Sequence, residues 1–343
     1  MRVVFMGTPD FSVGTLEALI TSKHEVCAVV TQPDKPRGRG KAVQFTPVKE
    51  VAVRENIPVY QPKKVRDPEF VEILRGLGAD VIVVVAFGQI IPQSILDLTK
   101  YGCINVHASL LPKYRGAAPI QWAVINGERE SGVTTMQMDA GLDTGDMLLK
   151  TVVPLDEEET GGSLFEKLSK AGASLLLDTL SGLEAGTIVP EKQGETTTEY
   201  AKMLTKDMGR IDWSRDAVSI ERLVRGLNPW PSAYTEINGK TLKIWKARAL
   251  SEDGKKQAVS ENGGAPKPEE SGRADTVPKP DEESGCVAAA PGTVLAAEGG
   301  KLWIQTGSGA LSVEELQLEG KKRMDTAAFL RGYAIKEETV LCS

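Results

Sequence analysis

Histidine is scarce in this chain: 343 residues contain only two, His24 and His107. The four cysteines (Cys27, Cys103, Cys286, Cys342) are scattered with no C-x-x-C pair, so neither a zinc site nor a disulfide framework is indicated. No apolar run is long enough to span a membrane. The opening Met1-Arg2-Val3-Val4-Phe5 reads as a strand rather than a targeting segment, so a cytoplasmic protein is expected. Net positive charge is also missing: 41 Lys and Arg face 47 Asp and Glu, for a net charge of −6. A generally basic nucleic-acid binder is thereby excluded, and any RNA contact has to be a local patch. Finally, the first strand enters Gly7-Thr8-Pro9, not G-x-G-x-x-G. That disfavours a dinucleotide site and, with it, a nicotinamide oxidoreductase.

The composition that is present, 41% hydrophobic and 26% charged, is that of an ordinary globular protein of two-domain length. Val3 to Met6, Glu25 to Val30 and Val81 to Ala86 read as apolar strands, and a helix is expected from Ser12 to Thr21. An unbroken run such as Val-Ile-Val-Val-Val suits a parallel sheet covered on both faces. Strands alternate with helical stretches up to about residue 186, which predicts an α/β, Rossmann-like domain over 1–189. A packing helix is expected from Thr160 to Glu184. Residues 190–207 lose periodicity and read as a linker. Beyond it, over 208–343, a helix near Ala217 to Arg225 and several short strands suggest a small barrel.

The most informative stretch is 102–119, Gly-Cys-Ile-Asn-Val-His-Ala-Ser-Leu-Leu-Pro-Lys-Tyr-Arg-Gly-Ala-Ala-Pro. A strand should stop near Ala108, where Pro112 and Gly116 follow. Alternation puts Asn105 and His107 on one face at the carboxyl end of that strand, the edge where open parallel sheets bind ligands. Imidazole moves protons near neutral pH, and a carboxamide can stabilise a developing oxyanion. The pair therefore suits acyl transfer to an amine. His24, after Thr21-Ser22-Lys23, reads as a solvated loop residue. A second strand, Val133 to Met138, runs into a loop with three carboxylates, Asp139, Asp143 and Asp146, any of which could orient the imidazole.

Asn-Val-His-Ala-Ser-Leu-Leu-Pro-Lys-Tyr-Arg-Gly-Ala-Ala-Pro-Ile-Gln and Met-Asp-Ala-Gly-Leu-Asp-Thr-Gly-Asp closely resemble the formyltetrahydrofolate-dependent formyltransferases. Thr31-Gln32-Pro33-Asp34 and Asn228-Pro229-Trp230-Pro231 extend the resemblance over nearly the whole chain. It implies Asn105, His107 and Asp143 as the catalytic trio. It implies a folate site lined by Ser109, Leu110, Leu111 and Pro112, with the pterin between Phe87-Gly88-Gln89-Ile90-Ile91-Pro92 and the Asp139–Asp143 loop. The formyl donor would be 10-formyltetrahydrofolate and no metal is implied. The acceptor would be the amino group of methionyl initiator tRNA, and a monomer is expected. Other amine acceptors, such as a nucleotide-linked amino sugar or glycinamide ribonucleotide, would use the same chemistry. A non-catalytic tRNA-binding protein is the remaining alternative.

Two segments bear on RNA. Residues 31–47 read as a long loop in which Lys35, Arg37, Arg39 and Lys41 alternate with Gly38 and Gly40. The resemblance sends this loop to the acceptor stem. Residues 206–250 hold nine Lys or Arg against five Asp or Glu, a local excess in an acidic chain that fits a tRNA backbone. The resemblance makes the second domain an OB-like barrel. Residues 251–290, rich in Glu, Gly, Pro, Ser and Ala, read as a largely disordered insertion. Replacing Arg39 and Lys41 together by alanine is expected to lower the catalytic efficiency of formylation, and unchanged kinetics would remove the acceptor-stem assignment. Deleting Asp253 to Ser284 is expected to leave folding and activity intact, and a large drop in melting temperature would contradict that.

Overall fold

A computed structural model describes residues 1–37, 42–250 and 289–342, with residues 36, 37, 42 and 43 in backbone only. Two compact units divide at Leu204 and Thr205.

The first unit begins with β1 (Arg2–Gly7), α1 (Val13–Ile20), β2 (Glu25–Val30) and a ribbon of β3 (Lys35–Arg37) and β4 (Ala42–Gln44). It continues with α2 (Pro47–Arg54), β5 (Val59–Tyr60), α3 (Pro68–Gly76), β6 (Val81–Val85), α4 (Gln93–Leu96) and β7 (Cys103–His107). It ends with α5 (Pro119–Ile125), β8 (Glu130–Gln137), β9 (Met147–Pro154) and α6 (Gly161–Ala185). The sheet order is β5-β2-β1-β6-β7-β8-β9. The pairs from β5 to β7 are parallel, while β8 is antiparallel to both of its neighbours. Strand order reverses between β1 and β6, the place where such a sheet opens a crevice at its carboxyl edge.

Alternation along the strands sorts the core into two layers. Val3, Phe5, Val83, Ile104 and Val106 pack on one face with Leu164, Leu168 and Leu176 of α6. Val4, Met6, Ile82, Val84 and Cys103 pack on the other with Phe70 and Leu74 of α3. Asn105 and His107 share the parity of Cys103 and so belong to the second face. Helix α6 is bounded as its sequence dictates: the Thr160 hydroxyl accepts from the Ser163 N–H, and Gly186 closes the helix in the left-handed region at φ 66°. Cys27 and Cys103 are buried free thiols, and burial pushes Cys103 up to about 12.

In the second unit the chain forms α7 (Ala217–Gly226), β10 (Ala233–Ile237), β11 (Lys240–Leu250), β12 (Val294–Ala296), β13 (Trp303–Gln305), β14 (Ala310–Leu318), β15 (Met324–Asp325) and α8 (Thr326–Gly332). The strand order is β10-β11-β14-β13-β12, with β15 beside β14. Residues 338–342 join the two edges: Val294 donates to the Thr339 carbonyl at 2.8 Å, and Cys342 donates to the Glu236 carbonyl at 3.2 Å. The curled antiparallel sheet closes on Trp213, Ile244, Ile304 and Leu316, the small-barrel core expected for this part of the chain.

Several sequence expectations need correction. Residues 31–47 are not one open loop: the β3/β4 ribbon pairs Lys35 with Gln44, and Pro47 starts α2. The side chain of Arg37, together with Arg39, Lys41 and the insertion at 251–288, lies outside the described residues. The stretch read as a linker, 190–207, is mostly hydrogen-bonded into the first unit up to Leu204. His24 is not a solvated loop residue. It is 6% exposed, and its Nδ1 accepts from the Met1 amino group at 3.2 Å.

Burial, with the Met1 ammonium, lowers His24 from its ordinary 6.5. The unfolded chain therefore binds this proton at a higher pH than the folded one. Stability contributed by neutral His24 is complete above the unfolded value and is lost as pH falls through the lower folded value. Urea midpoints are expected to drop between pH 7.5 and pH about 5, less steeply in a His24→Gln variant, which cannot take up the proton. Parallel curves would refute this account.

Candidate active site

The carboxyl edge of the sheet opens into a cleft of about 490 Å³ at the β1/β6 reversal. Its walls come from both core layers. Phe11, Val106 and Ile120 belong to the α6 face, while Val84, Phe87 and Ile91 belong to the opposite one. The cleft therefore has two apolar ends, with the carboxyl end of β7 between them. Ile90, Leu142 and Met203 line it as exposed apolar side chains.

Asn105 and His107 both line this cleft, as two residues of equal parity on β7 must. The Asn105 Nδ2 donates to the Val84 carbonyl at 3.2 Å, which fixes the amide, since the reversed orientation would set two acceptors against each other. Its Oδ1 is then buried without a hydrogen-bond partner. A buried unpaired acceptor costs about 1–3 kcal/mol, and its position in a ligand-sized cleft gives it a use.

His107 is buried, with Nε2 3.1 Å from the Tyr114 carbonyl. A carbonyl only accepts, so Nε2 carries a hydrogen, and in the neutral imidazole the basic lone pair lies at Nδ1. Nδ1 lies 3.9 Å from Asp143 Oδ1. Of the three loop carboxylates, Asp143 is the one that approaches the imidazole. Asp139 lines the cleft but is engaged within its own loop, accepting from the Gly141 N–H at 3.0 Å and the Thr144 hydroxyl at 2.8 Å. Asp146 lies 3.9 Å from the Lys192 ammonium.

The geometry of Asp143 is enforced by backbone. It sits at φ 57°, a left-handed conformation that aspartate tolerates better than most residues. Its Oδ2 accepts from the Gly116 N–H at 2.9 Å. Gly116 is at φ 126°, and a Cβ there would lie 2.6 Å from the Ala201 carbonyl. Tyr114, at φ 57°, offers its carbonyl to His107. Its N–H donates to the Thr198 hydroxyl at 2.7 Å. Burial pushes the Tyr114 hydroxyl up to about 12, so it stays protonated and donates to Glu128 at 2.8 Å.

The other sequence candidates divide. Phe87 is buried and lines the cleft, and its carbonyl accepts from the Thr8 hydroxyl and the Gln32 amide at 3.0 and 3.1 Å. Gln89 also lines it, but its amide is occupied with Val65 N–H and the Pro62 carbonyl. Ser109, Leu110, Leu111 and Pro112 do not line the cleft. Ser109 Oγ donates to the Lys113 carbonyl and Leu111 N–H donates to the Thr134 hydroxyl, while Leu110 and Pro112 line a separate cavity with Tyr114 and Glu130. These four build the turn after β7. Sequence reasoning missed Tyr114, Gly116 and Thr198, whose part is played through backbone or from a non-periodic stretch.

A sheet covered by helices on both faces, with an amide, an imidazole and a carboxylate at a cleft on its edge, suits a group-transfer enzyme. A family profile described as "Formyl transferase" matches residues 1–180, and one described as "Formyl transferase, C-terminal domain" matches residues 203–334. The chain belongs to the formyl transferase family. It is 54% identical to a protein named methionyl-tRNA formyltransferase from Agathobacter rectalis, over 98% of each chain. It is 55% identical to one of the same name from Lachnospira eligens, over 99% of each. Among solved structures, WlaRD, a sugar 3N-formyl transferase in the presence of dTDP and 5-N-formyl-THF, superposes with a TM-score of 0.62 at 18% identity, over 94% of this chain and 99% of that one. That likeness concerns the fold.

Proposed function

We propose that this chain transfers the formyl group of 10-formyltetrahydrofolate to the free amino group of methionyl initiator tRNA, yielding formylmethionyl-tRNA and tetrahydrofolate for translation initiation. The reading includes a monomer acting in the cytoplasm, where charged tRNA is used. The observation that carries it is the buried, unpaired Asn105 Oδ1 beside an imidazole whose basic lone pair lies at Nδ1, in a cleft large enough for a heteroaromatic ligand. Near-full-length identity above 50% to methionyl-tRNA formyltransferases supports the acceptor.

The residues fit such a donor. The end of the cleft formed by Phe87, Ile91 and Met138 is apolar and backbone-rich, suited to a flat ring, and Asp139 stands at its edge. Ser109, Leu110, Leu111 and Pro112, which follow the cleft-lining Ala108, remain the proposed folate contacts, and their hydrogen bonds also shape the turn after β7. The bound donor supplies an electrophilic formyl carbon. No enzyme nucleophile is needed, because the amine attacks directly.

Asn105 is the orienting group. Its Oδ1 can accept from the amine N–H, and the Nδ2 hydrogen left over from Val84 can donate to the oxygen on which charge develops. His107 takes the proton the amine loses at Nδ1, because Nε2 is committed to Tyr114. The resulting imidazolium faces Asp143, so the 3.9 Å approach becomes an ion pair when it is needed. His107 would then pass this proton to the departing nitrogen as its bond to the formyl carbon breaks, so that tetrahydrofolate leaves as the neutral amine. Arg37, Arg39 and Lys41 remain the proposed acceptor-stem contacts, and the second unit the proposed tRNA-binding domain.

Formylation of charged initiator tRNA should fall about 10²–10⁴-fold in His107→Ala. Loss of a donor at Asn105 should cost about 2.7–4 kcal/mol in transition-state stabilisation. Near-normal turnover in His107→Ala would overturn the mechanism. Equal efficiency with an amino-sugar nucleotide in acceptor competition would overturn the substrate.

A further inference from the structure

We infer that Gln193 is a positioning residue of this active site. Its side-chain amide, on the strap formed by residues 191–201, sets the loops that carry Asp143 and hold His107. The inference rests on the function proposed above.

Gln193 Nε2 donates to the carbonyls of Asp143, at 2.9 Å, and Gly145, at 2.7 Å. Its Oε1 accepts from Arg115 Nε at 2.9 Å. Both amide hydrogens are thus spent on the loop that carries the carboxylate, and the oxygen on the segment that holds the imidazole. Arg115 lies between Tyr114, whose carbonyl binds His107, and Gly116, whose N–H binds Asp143. One half-buried amide therefore joins both halves of the catalytic pair without touching the cleft itself.

The rest of the strap fastens the same two segments. Glu191 and Met147 exchange backbone hydrogen bonds at 2.7 and 2.8 Å, just beyond the carboxylate loop. Arg115 Nη2 donates to the Gly194 carbonyl at 3.1 Å, and Thr198 Oγ1 receives the Tyr114 N–H at 2.7 Å. Ala201 donates to the Arg115 carbonyl at 2.8 Å and accepts from the Ala117 N–H at 2.8 Å. The backbone is strained where the strap acts, with Tyr114 and Asp143 both at φ 57°. Such conformations persist only where surrounding bonds over-determine them.

The consequence is a division of labour. Substrate contacts come from the cleft, whereas the distance between imidazole and carboxylate comes from the strap. Displacing the carboxylate by about 1 Å through a remote change can cost about 10²-fold in rate. Gln193 makes no cleft contact of its own, but Gly141, Leu142 and Asp143 of the loop it holds line the cleft, so the loss should fall mainly on kcat with a smaller rise in KM for the formyl donor.

The test uses full-length Gln193→Glu, which keeps volume and the Arg115 contact but removes both N–H donors, and Gln193→Met, which removes all three. Activity is read as tetrahydrofolate released with methionyl initiator tRNA, below the melting temperature of each variant. The expected result is a fall in kcat of about 10²-fold that exceeds any rise in donor KM. In an Asp143→Ala background the Gln193 substitution should cost little more, since it acts through that carboxylate. Thr198→Val, which removes the acceptor for Tyr114 N–H at the other end of the strap, carries the same expectation. A kcat within about twofold of the parent in folded protein, or full additivity with Asp143→Ala, overturns the inference. If the unsubstituted enzyme fails to formylate methionyl-tRNA, the acceptor assignment fails instead, and the coupling is read with the amine that it does accept.

Discussion

The imidazole of His107 is gripped by a backbone carbonyl at Nε2, and the role proposed for it depends on that grip. A carbonyl cannot donate, so the contact selects one tautomer and leaves the basic lone pair at Nδ1. Had Nε2 faced a hydroxyl or water, either tautomer could form, and the base would point wrongly part of the time. The contact works because Tyr114 is held in a left-handed conformation with its N–H, carbonyl and hydroxyl all engaged. Two residues on, the Gly116 N–H holds the Asp143 carboxylate. A single turn thereby fixes both the imidazole and the carboxylate, and it does so with main-chain groups that no side-chain substitution removes directly.

The sheet explains why this turn stands where it does. Reversal of strand order between β1 and β6 leaves the carboxyl edge open. Alternation on β7 then sends Asn105 and His107 to one face and Val106 to the other. A cleft that straddles the edge can take a flat apolar ligand on one side of β7 and an acceptor on the other, with both reacting groups meeting at the strand end. The antiparallel β8 matters equally. Its pairing of Asn105 with Met136 and of His107 with Thr134 carries the following loop, and Asp143 with it, back over β7.

Much of this was legible in the sequence, because much of it is periodic. The strand Cys103–His107, its termination before Pro112 and the common face of Asn105 and His107 follow from period-two alternation and from what proline and glycine disallow. Helix α6 was legible from leucine spacing, and Phe87 from an apolar strand running into a loop. What failed was whatever rests on contacts distant in sequence. His24 looks solvated in a Thr-Ser-Lys turn, yet tertiary packing buries it. Three aspartates in one loop are chemically equivalent until a fold brings one of them to an imidazole. Residues 190–201 have neither helical nor strand period because Glu191, Gln193, Thr198 and Ala201 each bond to a distant segment, which on paper is indistinguishable from a linker. Strand β14, the centre of the second sheet, is hard to read from sequence because the adjacent Glu314 and Glu315 interrupt the alternation in Leu-Ser-Val-Glu-Glu-Leu.

The same contrast separates the kinds of constraint on this chain. Sheet positions such as Val83 and Ile104 need an apolar side chain of suitable size, a requirement many residues satisfy and one that composition reveals. Gly145 is constrained by backbone proximity instead, since a Cβ there would lie 1.8 Å from the Gln137 carbonyl. Asn105 is constrained by chemistry: one end of its amide has a protein partner and the other has none. A leucine there would remove the cost of the unpaired oxygen, so stability alone does not account for an asparagine. The proposed role of Asn105 toward the acceptor amine would give that unpaired oxygen a partner from outside the chain.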